Sequence, residues 1–129
     1  MAETSQTVYD QIGPDGFKRL VDGFYTRVAE DPLLRALYPE DDLEPAARRL
    51  RLFLEQFFGG PGTYSQERGH PRLRMRHAPY RIDHTARNTW VRHMLAALDA
   101  ADISEPAYST LRDYFERTAT FMINTYLPE

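Results

Sequence analysis

GGPGTYSQERGHPRLRMRHAPYRI, running from Gly59 to Ile82, is the stretch whose reading decides how this chain folds. Its 24 residues hold Pro61, Pro71 and Pro79 together with Gly59, Gly60, Gly62 and Gly69, and no apolar stripe at helical spacing. A loop this long is uncommon inside a compact domain and is usually either functional or disordered. Disorder fits poorly, because Tyr64, Leu73, Met75 and Tyr80 offer apolar anchors. The segment is therefore expected to pack against something other than protein alone.

On both sides of it the pattern is helical. Val21, Phe24, Tyr25 and Val28 fall three or four residues apart in a helix expected over Phe17–Glu30. Asp31 and Pro32 read as the N-cap and first-turn proline of a short helix to Tyr38. Asp42 and Pro45 repeat that signature before Ala46–Phe58, where Ala46, Leu50, Phe53, Leu54 and Phe57 make a stripe that Gly59-Gly60-Pro61 ends. Beyond Ile82, Asp83 is placed to cap a helix carrying Trp90, Val91, Met94, Leu95 and Leu98. Ser104 and Pro106 open a last helix with a face of Tyr108, Leu111, Phe115, Thr118 and Met122. Nothing alternates at period two, so the expected fold class is all-α.

Length and composition set the outer bounds. A chain of 129 residues with 42% hydrophobic and 12% aromatic residues suits one domain, 1–129, around one core. Residues 1–7 are expected to form a flexible tail. There is no cysteine, which excludes disulfides, thiolate zinc sites, iron–sulfur clusters and cysteine nucleophiles, and suits a reducing compartment. Met1–Thr7 lacks a basic start and an apolar run, and no stretch approaches the roughly 18–20 apolar residues of a spanning helix. A cytoplasmic location without membrane insertion is the expectation. The net charge of −3 offers no general attraction to nucleic acid or anionic lipid.

Four histidines remain as chemistry-bearing candidates: His70, His77, His84 and His93. No H-x₃₋₅-H pair and no H-E-x-x-H motif is present for zinc, and no G-x-S-x-G turn holds a nucleophilic serine. His77 stands out only by its place, inside Arg74-Met75-Arg76-His77-Ala78-Pro79-Tyr80 within the irregular segment.

Four landmarks, in order and spacing, carry a resemblance. They are Phe24-Tyr25; Tyr38-Pro39 followed by Glu40-Asp41-Asp42; Phe53-Leu54 through Gly59-Gly60-Pro61; and Gly69-His70-Pro71 through Arg76-His77, with Trp90 thirteen residues after His77. Over roughly residues 8 to 127 the chain resembles the group II truncated haemoglobins, small globins built as a two-over-two helical sandwich around haem. That resemblance implies His77 as proximal ligand of the iron of haem b (iron protoporphyrin IX), with the sixth position open to a small ligand. It also implies that haem supplies the packing surface that the irregular segment lacks.

The resemblance further places Ala46 and Leu50 above the iron, where neither donates a hydrogen bond. Tyr25, Tyr38 and Trp90 match the polar aromatics of the distal pocket, each with an O–H or N–H and an apolar body. Core packing is the plain alternative for these rings. A haem cradle of Phe24, Phe53, Leu54, Tyr64, Arg72, Arg76, Tyr80 and Met94 follows, with Arg76, Tyr64 and Arg72 taken for the propionates because guanidinium pairs with carboxylate in a fork. His70 is expected to be structural, and His84 and His93 to lie on the surface.

Three functions stay open: reversible binding of O₂, CO or NO, including oxygen transport; a haem redox enzyme, either an NO dioxygenase or a peroxidase, served by a separate reductase; and a haem-free helical module that docks a partner through its arginine-rich loop. The chain has no G-x-G-x-x-G motif of its own for flavin or nicotinamide. A monomer and a homo-oligomer are equally compatible with the sequence.

Overall fold

A computed structural model of the protein describes residues 6–39 and 41–125. Glu40 and the first five residues of the expected tail lie outside the described residues. Within them the chain forms seven helices: α1 Val8–Glu30, α2 Pro32–Arg35, α3 Glu44–Phe57, α4 Thr63–Arg68, α5 Leu73–His77, α6 His84–Ala100 and α7 Ala107–Phe121. No strand occurs among the described residues, and no helix there is long and apolar enough to cross a membrane.

Helix α1 begins earlier than its apolar stripe suggests. Thr7, assigned by sequence to a flexible tail, is its N-cap and shares a capping box with Asp10. Gly13 then takes φ +65° and breaks the helix, and Pro14 restarts it. That break, only five residues in, hides the first turn from a periodicity reading. Asp31 closes α1 and caps α2, its Oδ1 accepting from the Leu33 N–H at 3.0 Å. Before α3, Asp42 accepts from the Glu44 N–H at 3.0 Å. At α7 the side chain that accepts the first-turn N–H is Glu105, from Ser109, rather than Ser104.

The main departure lies in Gly59–Ile82, where two short helices, α4 and α5, replace the expected unbroken loop. Helices of six and five residues are marginal alone, and tertiary ties hold them. Gln56 on α3 bonds both the N–H and the hydroxyl of Ser65 at 2.9 and 2.8 Å. Arg48 grips Glu67 through two bonds of 2.7 and 2.8 Å. Asn124, just beyond α7, donates to the carbonyls of His77 and Tyr80 and accepts from the Ile82 N–H.

Helix α1 packs on α3 and α6, and α6 packs on α7, so the four long helices share one core. The core between them holds Phe17, Leu20, Phe24, Leu98, Leu111 and Phe115, each essentially inaccessible to solvent. The core is drawn from all four long helices, so it holds their ends in fixed positions around one cavity.

Candidate functional site

That cavity has a volume of about 360 Å³. Its walls come from α1, the corner after α2, α3, the α4–α5 segment, the start of α6 and the last turns of α7. His77 closes one side, on α5. Its Nδ1 lies 2.7 Å from the Leu73 carbonyl oxygen one turn back. A carbonyl only accepts, so Nδ1 carries the hydrogen and Nε2 keeps its lone pair for a metal. An N–H donated to backbone in this way also fixes the ring orientation of a ligating histidine.

Tyr25 and Tyr38 line the same cavity. Their hydroxyl oxygens are 3.5 Å apart and their rings meet edge-to-face at 5.5 Å. Trp90 also lines it and packs edge-on to Phe24 at 5.1 Å. Ala46 is buried and Leu50 half-buried on the α3 wall, without a donor between them.

The corner bearing Tyr38 is held at both ends. Arg35 donates to the Tyr38 and Asp41 carbonyls at 3.0 and 2.9 Å. At the other end Oδ2 of Asp31 accepts from His93 Nε2 at 2.7 Å, with Arg92 at 3.5 Å. His93 is thus half-buried in a hydrogen bond with Asp31 rather than a surface residue as the sequence suggested. The His93 hydrogen bond holds the Asp31 carboxyl below the ordinary carboxylate range.

Of the remaining cradle residues, Phe53, Leu54, Tyr64, Arg76 and Tyr80 line the cavity. Phe24, Met94 and Arg72 stand outside its wall. Phe24 neighbours Tyr25 on α1, and adjacent helical residues face different ways, so Phe24 is turned fully into the core. Met94 is likewise fully buried, in the core cluster. Arg72 takes a left-handed conformation, φ +43°, as the N-cap of α5 and is exposed. Its N–H donates to His70 Nδ1 at 3.1 Å, which ties His70 into the loop.

Arg76 has a second task. Its guanidinium donates to the carbonyls of Pro71, Arg68 and His70 and lies 5.9 Å from the Tyr64 ring centre. Sequence reasoning overlooked Arg49 and Arg87 and preferred Arg72 to Arg68; Arg49, Arg68 and Arg87 all line the cavity. Arg68 sits over the same Tyr64 ring at 6.0 Å. With Arg76 they make a lining of four arginines and no carboxylate among the described residues. Tyr114, Thr118 and Met122 form a further wall from α7. Burial pushes the Tyr114 phenol up from its ordinary pKa, and a hydrogen bond with Thr118 opposes that shift. One signal was available for this wall, since Thr118 is a polar residue on an otherwise apolar helical face.

The residues fit a haem. The cavity is apolar and aromatic, it offers one imidazole nitrogen, and cations suited to carboxylates stand at its edge. No cluster of three or more His, Cys, Asp or Glu side chains among the described residues could hold a bare metal ion. A single histidine suits a metal that brings its other ligands with it.

Comparison with known proteins agrees. The bacterial-like globin family model matches residues 7–124. The group 2 truncated hemoglobin YjbI of Bacillus subtilis (strain 168) is 38% identical over 124 residues, covering 96% of this chain and 93% of that protein. Among solved structures, a hemoglobin from the thermophilic phototrophic bacterium Chloroflexus aurantiacus is 54% identical, with a TM-score of 0.91 over 94% of this chain and 100% of its own. A truncated oxygen-avid haemoglobin from Bacillus subtilis is 39% identical, with a TM-score of 0.88 over 92% of this chain and 100% of its own. With the family model over residues 7–124 and a relative 38% identical along nearly its whole length, the chain belongs to the bacterial-like globins, among the group II truncated haemoglobins, whose cofactor is haem.

Proposed function

We propose that the chain would hold haem b through Nε2 of His77 and that Tyr25, Tyr38 and Trp90 would offer hydrogen bonds to O₂, CO or NO bound there. The observation that carries this reading is the placement of the two tyrosine hydroxyls, 3.5 Å apart, in the cavity that His77 closes. When bound, haem supplies an iron atom with one open position for a diatomic ligand.

The protein's own groups do the rest. Leu73 holds the imidazole in one tautomer. Arg68 and Arg76, both over Tyr64, are placed to receive the propionate carboxylates. Ala46 and Leu50 offer no donor and Arg49 on α3 belongs with the lining arginines, so in this reading Tyr25, Tyr38 and the Trp90 indole supply the hydrogen bonds to a ligand. A diatomic ligand that gains negative charge is held more firmly by such donors in a dry pocket than in water.

The decisive test is the visible spectrum of the purified protein, with and without CO. A strong Soret band with a CO-dependent shift, altered in His77→Ala, supports the reading. An unchanged ligand response in that variant refutes the assignment of His77.

A second reading rests on the same tyrosine pair. A pocket with two phenolic donors suits a ligand kept long enough to react, as in NO dioxygenation or peroxide reduction fed by a separate reductase. It suits rapid delivery of O₂ less well. Mixing the O₂-loaded ferrous protein with NO separates the two, because dioxygenation leaves nitrate and ferric protein.

A further inference from the structure

Between Arg68 and Arg92 seven arginines stand against a single acid, Asp83, in a chain whose net charge is −3. The rest of the chain therefore carries net negative charge, and five of the seven, Arg68, Arg72, Arg74, Arg76 and Arg81, lie on or beside α4 and α5, while Arg87 and Arg92 are on α6. Apolar surface is exposed at the same place. Met75 on α5 is 59% exposed and Phe121 at the end of α7 is 62% exposed. Arg74 joins them. Its guanidinium lies 5.8 Å from the Phe121 ring centre and donates to the Phe121 and Ile123 carbonyls. Exposed Arg72 and Arg81 flank α5 in sequence. An apolar centre with a charged rim is the anatomy of a protein-docking patch. His77 lies on the same five-residue helix as Met75, one facing the cavity and the other solvent.

We infer that α5 and the last turn of α7 form the docking surface for an acidic one-electron carrier protein. Resting on the haem reading above, this surface brings a donor against the helix that carries the iron ligand. The transfer balances simply: the carrier loses one electron, ferric haem gains it and becomes ferrous, and no proton or bond is exchanged. The chain has no cysteine for an iron–sulfur centre and no dinucleotide-binding motif, so that electron comes from outside it. Opposite charges steer such partners together and make the encounter sensitive to salt.

The test uses the haem-loaded full chain and a plant-type [2Fe–2S] ferredoxin, an acidic probe, as partner. Binding is measured by titration with the oxidised ferredoxin, and ferric-haem reduction by stopped flow after photoreducing it. Affinity and reduction rate are each expected to fall about tenfold or more on raising salt from roughly 50 to 300 mM. Arg72→Glu with Arg81→Glu should cost a similar factor at low salt, and Met75→Glu should weaken binding independently. Reduction by dithionite and the Soret spectrum should stay unchanged in all variants. Binding that is indifferent to salt and to these substitutions overturns the proposal, and so does tighter binding of a single-stranded oligonucleotide than of ferredoxin. A wild-type protein without a Soret band would instead sink the haem reading, whereas a normal Soret band with no ferredoxin binding sinks the docking surface alone.

Discussion

The Tyr25 and Tyr38 hydroxyls meet at 3.5 Å although the residues lie thirteen positions apart, one on α1 and one in the corner after α2. The pair joins α1 to that corner within the wall of the cavity.

Tyr38→Phe keeps the ring and removes one hydroxyl. A hydrogen bond to a charged group contributes about 1.5–3 kcal/mol, so O₂ dissociation should speed by roughly ten- to a hundredfold. Tyr25→Phe should act in the same direction. Stopped-flow O₂ dissociation from the ferrous protein measures both.

His77→Gly should abolish the ligand-responsive spectrum while leaving a cavity that free imidazole can enter. Adding imidazole should restore it, because Leu73 offers the same carbonyl acceptor to the exogenous ring. Absorbance titration with imidazole checks this.

Asp31 should make the fold sensitive to acid. The His93 hydrogen bond keeps its folded-state carboxyl below the ordinary range. Its stabilisation is therefore fully present above the unfolded aspartate value of about 4 and is lost as pH falls through the lower folded value. Asp31→Asn retains a good N-cap side chain but no charge. The variant should melt below the wild type at pH 7, and the gap should close in acid. Thermal melts monitored by circular dichroism across pH read this directly.

Phe24 stands behind the distal wall, with Tyr25 at 5.0 Å and Trp90 at 5.1 Å. Phe24→Ala should cost about 3–5 kcal/mol in urea unfolding, because the site is fully buried. It should also broaden the CO stretching band, as both supported rings gain freedom.

The long helices could be read from sequence, because an apolar residue every third or fourth position over three or more turns leaves a repeat that chance seldom imitates. His77 stands out by its setting, in a segment rich in proline and glycine without a helical stripe, and by the family resemblance. Short helices escape that reading. Leu73–His77 spans little more than one turn, so it has no period to detect, and distant ties such as those from Asn124 and from Arg74 to the end of α7 hold it in place. Residue type alone also misjudged direction. Arg72 suits a carboxylate as well as Arg68 does, but a left-handed backbone leaves it exposed, whereas α4 sets Arg68 over Tyr64 at the cavity. The Asp31–His93 pair spans 62 positions and has no local pattern that could announce it. Sequence by itself determined the helical period and the caps at Asp31 and Asp83, because these depend on neighbours a few residues away. Tertiary structure alone decided which arginines face the cavity, which aromatics stop short of it and how the Tyr38 corner is latched. Those outcomes depend on packing between helices that the chain's local preferences do not encode.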